Sequence, residues 1–194
     1  MKLYYAPWAC SLADHIALEE AGTAYERERV DLKTKRTASG RDLHEITPKG
    51  YVPALVLASG ETLTENVAVL DWIASQHPQL AVDRPLGRTR VLEALTYVST
   101  ELHRSFKPMW HPSSDAEKAK ARQTLSGQFE YVADTLDGDY LFGDAPSVAD
   151  FYLFVMLLWA DRFDVPVPYA LDALRTRMKE RPAVQRVMRE EGLI

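Results

Sequence analysis

The sequence predicts two domains of different class, an α/β domain followed by an all-helical one, on three observations. Strand-like and helix-like patterns alternate as far as Gln76. A break follows, where His77-Pro78 ends a helix and Pro85 punctuates a short polar stretch. From Gly87 onward only helical periodicity remains. We therefore place an α/β domain at 1–79, a linker at 80–86 and an all-helical domain at 87–194.

Each element has a local reason. Leu3–Tyr5 is a short apolar strand, and Ser11–Ala21 is a helix with Ser11 available as its cap. Tyr25–Val30 is a strand in which Glu and Arg alternate, and Arg41–Glu45 is a short helix. Pro53 stands at the first position of a strand, where a missing N–H is tolerated, and Ala54–Leu57 continues it. Ser59-Gly60 turns the chain and Glu61–Leu63 returns. A helix runs from Glu65 to about Gln76 on Val67, Leu70, Ile73 and Ala74. The order β-α-β then β-β-α predicts a mixed sheet. Beyond the linker, helices are expected at Gly87–Lys107 (stopped by Pro108), Asp115–Leu136, Val148–Phe163, Tyr169–Lys179 and Ala183–Glu190. Ser147 and Asp150 have the spacing of a capping box, with Asp in place of Glu, which is a structural role.

Composition narrows the function. The 194 residues are 46% hydrophobic and 26% charged, enough to bury a substantial core without being membrane-like. A net charge of −5, with no basic run, argues against a partner held by phosphate contacts. Phe151–Ala160 is apolar but too short to span a bilayer. Near the N-terminus Pro7, Asp14, His15, Glu19 and Glu20 interrupt any signal-peptide core, so the expected location is cytoplasmic. The single cysteine rules out an internal disulfide, and no metal site is expected.

Several residues suit chemistry. Cys10 just precedes a helix start, where the positive end of the dipole favours a thiolate; the plain alternative is a small buried residue. Glu65 and Asn66 open a helix whose unpaired N–H groups suit a carboxylate, and helix capping explains them equally well. Thr96, Thr100 and His103 are spaced i, i+4, i+7 and would share one face of a helix. A histidine there could exchange a proton near neutral pH or be purely structural.

Val52-Pro53-Ala54-Leu55 followed by Leu63-Thr64-Glu65 resembles the glutathione site of glutathione transferases. Met1-Lys2-Leu3-Tyr4-Tyr5 running into Pro7-Trp8-Ala9-Cys10-Ser11-Leu12 resembles the bacterial beta class of that family. The likeness continues through Val30-Asp31-Leu32, Thr47-Pro48-Lys49-Gly50, Thr100-Glu101-Leu102-His103 and Ser147-Val148-Ala149-Asp150, and it covers nearly the whole chain. It implies a thioredoxin-like domain followed by a helical one, and a detoxifying homodimer that joins glutathione, a co-substrate and not a cofactor, to small hydrophobic electrophiles. Val52 and Pro53 would then present backbone to the tripeptide. Glu65 and Asn66 would hold its γ-glutamyl end, Lys35 its glycyl carboxylate, and Thr96 and Thr100 would contact it from the long helix. Cys10 and His103 would stand at its sulfur, with Cys10 either activating the thiol or exchanging disulfides. Trp8, Phe106, Met109, Trp110 and Trp159 would form the electrophile pocket. A non-catalytic scaffold on the same fold is the alternative.

Overall fold

The computed structural model describes residues 1–194, which divide into two compact units, Met1–Ala81 with Arg181–Ile194, and Val82–Glu180. The first is built on five strands: β1 (Lys2–Tyr5), β2 (Glu26–Asp31), β3 (Arg36–Thr37), β4 (Ala54–Val56) and β5 (Thr62–Thr64), in the order β3-β2-β1-β4-β5. β1 runs parallel to β2, with Lys2 opposite Glu26 and Tyr4 opposite Glu28. β1 is antiparallel to β4, and β4 to β5, so the sheet is mixed as expected. The parallel pair needs a crossover, which α1 (Leu12–Ala21) supplies, while the tight turn at Gly60 suffices for the antiparallel hairpin. Helix α2 (Asn66–Gln76) completes the β-β-α half.

The two-residue β3 escapes sequence reading because it is too short for an alternation pattern. The helix expected at Arg41–Glu45 is a single 3₁₀ turn, Leu43–Glu45, opened by Asp42, whose carboxylate accepts from the His44 N–H. Ser11 does not cap α1: its hydroxyl is buried and bonds instead to the N–H and carbonyl of Ala6. It thereby pins the end of β1 to the start of α1.

The second unit holds α3 (Gly87–Tyr97), a π-helical segment Val98–His103, α4 (Lys107–Trp110), α5 (Asp115–Asp134), α6 (Val148–Arg162) and α7 (Tyr169–Glu180). The single helix expected over Gly87–Lys107 is thus interrupted, and Pro108 does not stop it but sits in the first turn of α4, where a missing N–H costs nothing. Helix α6 is buried from Val148 to Ala160 and forms the centre of this unit. Its capping box is formed: Ser147 accepts from the Ala149 N–H at 3.3 Å, and the buried Asp150 carboxylate accepts from the N–H groups of Ser147 and Leu141, each at 2.8 Å.

By its contacts, the C-terminal segment departs from the helices that precede it in sequence. Helix α8 (Pro182–Glu190) does not close the helical domain; residues 181–194 return to the first unit and pack on α1. Val184, Val187 and Met188 are buried there, roughly 1.5–3 kcal/mol each by area. Arg181 makes a two-pronged ion pair with Glu20, at 2.6 and 2.8 Å. Deeper in, His15 Nδ1 lies 2.9 Å from Glu191 Oε1, both side chains fully buried. Burial, with the neighbouring Glu190 charge, pushes the Glu191 carboxyl up to about 8, and burial lowers the His15 imidazole, so the pair carries one proton at neutral pH. Periodicity marks the apolar face of α8 but not the surface that covers it.

The sheet carries a testable charge on β2. Glu28 on β2 accepts from Lys2 at 2.7 Å and from the Ser39 hydroxyl at 2.5 Å. Burial opposes its ionisation, but the bonds from Lys2, Ser39 and Thr37 outweigh it and hold the carboxyl at about 2. Because the folded value lies below the unfolded one, this stabilisation is complete above about pH 4.5 and lost as pH falls through about 2. Only the side chains that bind Glu28 screen it from water, which limits the gain to about 1–2 kcal/mol. Urea unfolding of Glu28→Gln should show that deficit at pH 7, shrinking toward zero as the pH is lowered to 2. A deficit independent of pH would refute the charge assignment.

Candidate active site

Within the first unit the expected residues gather around the ends of β1, β4 and β5. The Val52–Pro53 peptide bond is cis and both residues are buried. The segment before it is shaped by Gly50, whose φ of +64° belongs to the left-handed region and whose Cβ would strike the His44 ring. Lys35, itself at a φ of 57°, reaches across to donate to the Gly50 carbonyl at 2.8 Å. Cys10 is half-buried, with Sγ 3.9 Å from the Val52 carbonyl oxygen. Lys35, Val52 and Cys10 thus converge on the loop from Gly50 to Pro53. Trp8 is half-buried in the turn before Cys10 at a φ of 64°.

Glu65 and Asn66 part company. Glu65 has a φ of 70°, an uncommon state for a residue with a side chain that costs about 1–3 kcal/mol and concentrates at functional sites. Its carboxylate does not cap α2; it accepts from Lys49 Nζ and, at 2.6 Å, from the Tyr51 hydroxyl, which together hold it below the usual carboxylate range. Helix α2 makes its first bond from the Val69 N–H to the Glu65 carbonyl, leaving the N–H groups of Asn66, Val67 and Ala68 without intrahelical partners. Asn66 was expected to offer its side chain to a ligand, and the structure turns it inward instead. With its nitrogen facing two acceptors, the only orientation that satisfies it, the amide donates to Asp14 Oδ2 at 2.8 Å and the Cys10 carbonyl at 3.3 Å. Buried Asp14 needs a donor, and Asn66 is placed to provide one.

The surroundings of Cys10 work against the expected thiolate. Burial, then the adjacent Asp14 carboxyl, push the thiol up to about 12, against smaller pulls from the N–H groups of Cys10 and Ser11. The helix dipole is too weak to offset this desolvation.

Within the second unit, the stripe expected from Thr96, Thr100 and His103 does not form one face. The π-helical segment, with its i→i+5 bonding, changes the angular spacing of side chains. Thr96 and Thr100 are exposed and donate back to the carbonyls of Leu92 and Thr96, at 2.7 and 3.0 Å. They border a cavity of about 640 Å³ with Tyr97, Tyr131 and Phe142, which His103 does not line. His103 is half-buried and points elsewhere: its Nδ1 lies 2.6 Å from the Tyr152 hydroxyl, and its ring packs edge-on against Trp159 at 5.0 Å. Burial lowers its imidazole to about 4, so the ring is neutral at pH 7.

The expected electrophile group is partly a core. Phe106 is fully buried and packs against Trp159 and Phe129, so it supports the site without lining an open pocket. Trp110 is exposed at one edge and packs against Trp159 and Phe163, with Arg162 over its ring. Met109 is half-buried beside it. Sequence reasoning missed Lys49, Tyr51, Asp14 and Tyr152. A lone hydroxyl within apolar α6 was the available signal for Tyr152, and the Lys49-Gly50-Tyr51 triplet before Pro53 for the other pair.

The pattern of the glutathione S-transferase N-terminal domain matches residues 9–76, and that of the C-terminal domain residues 81–190. The chain belongs to the glutathione S-transferase family. A glutathione S-transferase, GstA, from Escherichia coli O157:H7 is 40% identical over the full length of both chains. The structure of a sphingomonad glutathione S-transferase complexed with glutathione superposes with a TM-score of 0.91 at 42% identity, covering all of both chains. A bacterial beta class glutathione S-transferase from Sphingomonas chungbukensis gives 0.90 at 41% identity, again over all of both chains. The transferase therefore stands with the bacterial beta class, and its first unit is the family's thioredoxin-like domain.

The state of Cys10 can be read directly. Alkylation by iodoacetamide should accelerate without a plateau from pH 7 to pH 11, since the thiol stays protonated up to about 12. A plateau below pH 9 would show a thiolate and overturn that reading.

Proposed function

We propose that this transferase joins the thiolate of glutathione to small hydrophobic electrophiles, with the tripeptide bound through the first unit. The γ-glutamyl carboxylate meets the free N–H groups at the start of α2, and its ammonium meets Glu65. The backbone at Val52 and Pro53 aligns the cysteinyl part, and Lys35 takes the glycyl carboxylate. The observation that carries this reading is Glu65: an ionised carboxylate held at a positive φ, directly beside an open helix N-terminus. An ammonium and a carboxylate on one carbon atom are what that pair of opposite charges recognises.

The sulfur chemistry follows from the ionisation states. A protonated Cys10 is a poor nucleophile, so the attacking thiolate is that of glutathione and Cys10 contributes as a neighbouring thiol near Val52. His103 stabilises the sulfur anion, and Thr96 and Thr100 act outside the reacting centre, since their hydroxyls are committed to backbone. Trp8, Met109 and Trp110 offer aromatic and polarisable surface for a flat apolar electrophile. We read the working form as a cytoplasmic homodimer that disposes of reactive compounds. Thiol–disulfide exchange through Cys10 is disfavoured by the same protonated thiol.

Calorimetric titration with reduced glutathione tests the assignment. Saturable binding is expected, weakened about tenfold or more in Glu65→Ala, as for loss of a charge-assisted bond. Cys10→Ala should retain most of the conjugating activity. Binding unaffected by Glu65→Ala would refute this placement of the γ-glutamyl end.

A further inference from the structure

The π-helical segment ends at His103, whose nearest polar neighbour, Tyr152, belongs to the buried helix α6. The two lie 2.6 Å apart through Nδ1 and the hydroxyl, with their rings at 88°. Tyr152 is 1% exposed, and its ring is held by the surrounding core, so the hydroxyl has a fixed position. Trp159, seven residues further along α6, packs edge-on against the imidazole at 5.0 Å.

Which atom carries the shared proton follows from acidity. A phenol ionises near pH 10, whereas a neutral imidazole N–H is a far weaker acid; conversely, the imidazole lone pair is a better acceptor than a phenol oxygen. The O–H therefore points at Nδ1, and a neutral imidazole with Nδ1 unprotonated must carry its hydrogen on Nε2.

We propose that Tyr152 is a positioning residue: by donating to Nδ1 it locks His103 as the Nε2–H tautomer, a neutral hydrogen-bond donor to the sulfur anion and not a base. This rests on the reading of His103 given above for conjugation. No proton changes hands in this role. The glutathione thiol gives its proton to solvent. The thiolate pair forms the carbon–sulfur bond as the electrophile's leaving group departs or its activated double bond opens; until then the N–H lowers the energy of the anion. Burial is the one cause of the low His103 basicity, with no charged side chain of α3, α5 or α6 setting it, so the ring remains neutral through the pH range where glutathione ionises. The unusual turn fits this role, because π-helical turns inside helices are frequent at functional sites.

Imidazole ¹⁵N–¹H correlation spectra of the ligand-free protein at pH 7 test the tautomer without any reference to catalysis. We expect a protonated Nε2 and an unprotonated Nδ1 for His103; a protonated Nδ1 overturns the proposal. Tyr152→Phe keeps the ring and removes the donor. Its His103 should show a mixture of tautomers and titrate at higher pH, and kcat/KM for conjugation should fall about tenfold, the effect of one lost hydrogen bond. Glutathione binding by calorimetry should stay unchanged, so that the loss falls on turnover. A tautomer that is indifferent to the substitution overturns the lock. A tautomer lost with turnover unaltered overturns the positioning role and the part assigned to His103. Loss of glutathione binding by the parent protein would instead refute the wider assignment and leave the tautomer result standing. Should the variant fail to fold, the parent spectrum decides alone.

Discussion

Asn66 ties together the two helix starts on which the first unit's site is built. From the first residue of α2 its amide reaches the Cys10 carbonyl and the Asp14 carboxylate, both at the start of α1. The geometry around Cys10 and Glu65 depends on this short bridge, because neither helix is capped by its own N-terminal side chain. A buried carboxyl such as Asp14, raised well above its ordinary range by desolvation, would be costly without that donor. The same burial that demands the bridge keeps Cys10 protonated. The constraint that orders the site thus also decides which sulfur in it can react.

Positive-φ residues fall where the chain must change direction around this bridge. Trp8, Lys35 and Glu65 each adopt a conformation that the rest of the fold has to enforce. Lys35 is held through Gly50, and Glu65 through Lys49 and Tyr51. Two of these three anchors flank one glycine, so the Lys49–Tyr51 turn serves both ends of the proposed tripeptide.

The mixed sheet and most helices were legible in the sequence, because Leu3–Tyr5, Ala54–Leu57 and the apolar run after Ser147 are local patterns with local punctuation. What the pattern could not supply depends on contacts distant in sequence. The direction of the Asn66 side chain is set by Asp14, the state of Cys10 by what covers it, and the partner of α8 by α1. The separation of His103 from Thr96 and Thr100 comes from a local distortion that no periodicity marks, since an interrupted helix keeps an apolar stripe on either side. Phe106 illustrates the same limit: an aromatic residue in the right stretch says nothing about whether it faces a ligand or the core.

The return of residues 181–194 to the first unit imposes an order on biosynthesis. A chain leaving the ribosome at about 5–20 residues per second presents β1, α1 and α2 well before α8 exists. For roughly 8–33 s, at that rate, the face of α1 that will receive Val184, Val187 and Met188 stands open to water, and His15 waits without Glu191. Residues made late thus seal a surface made early. A nascent chain stalled before Arg181 holds all the residues proposed to bind glutathione and still lacks the helix that covers α1.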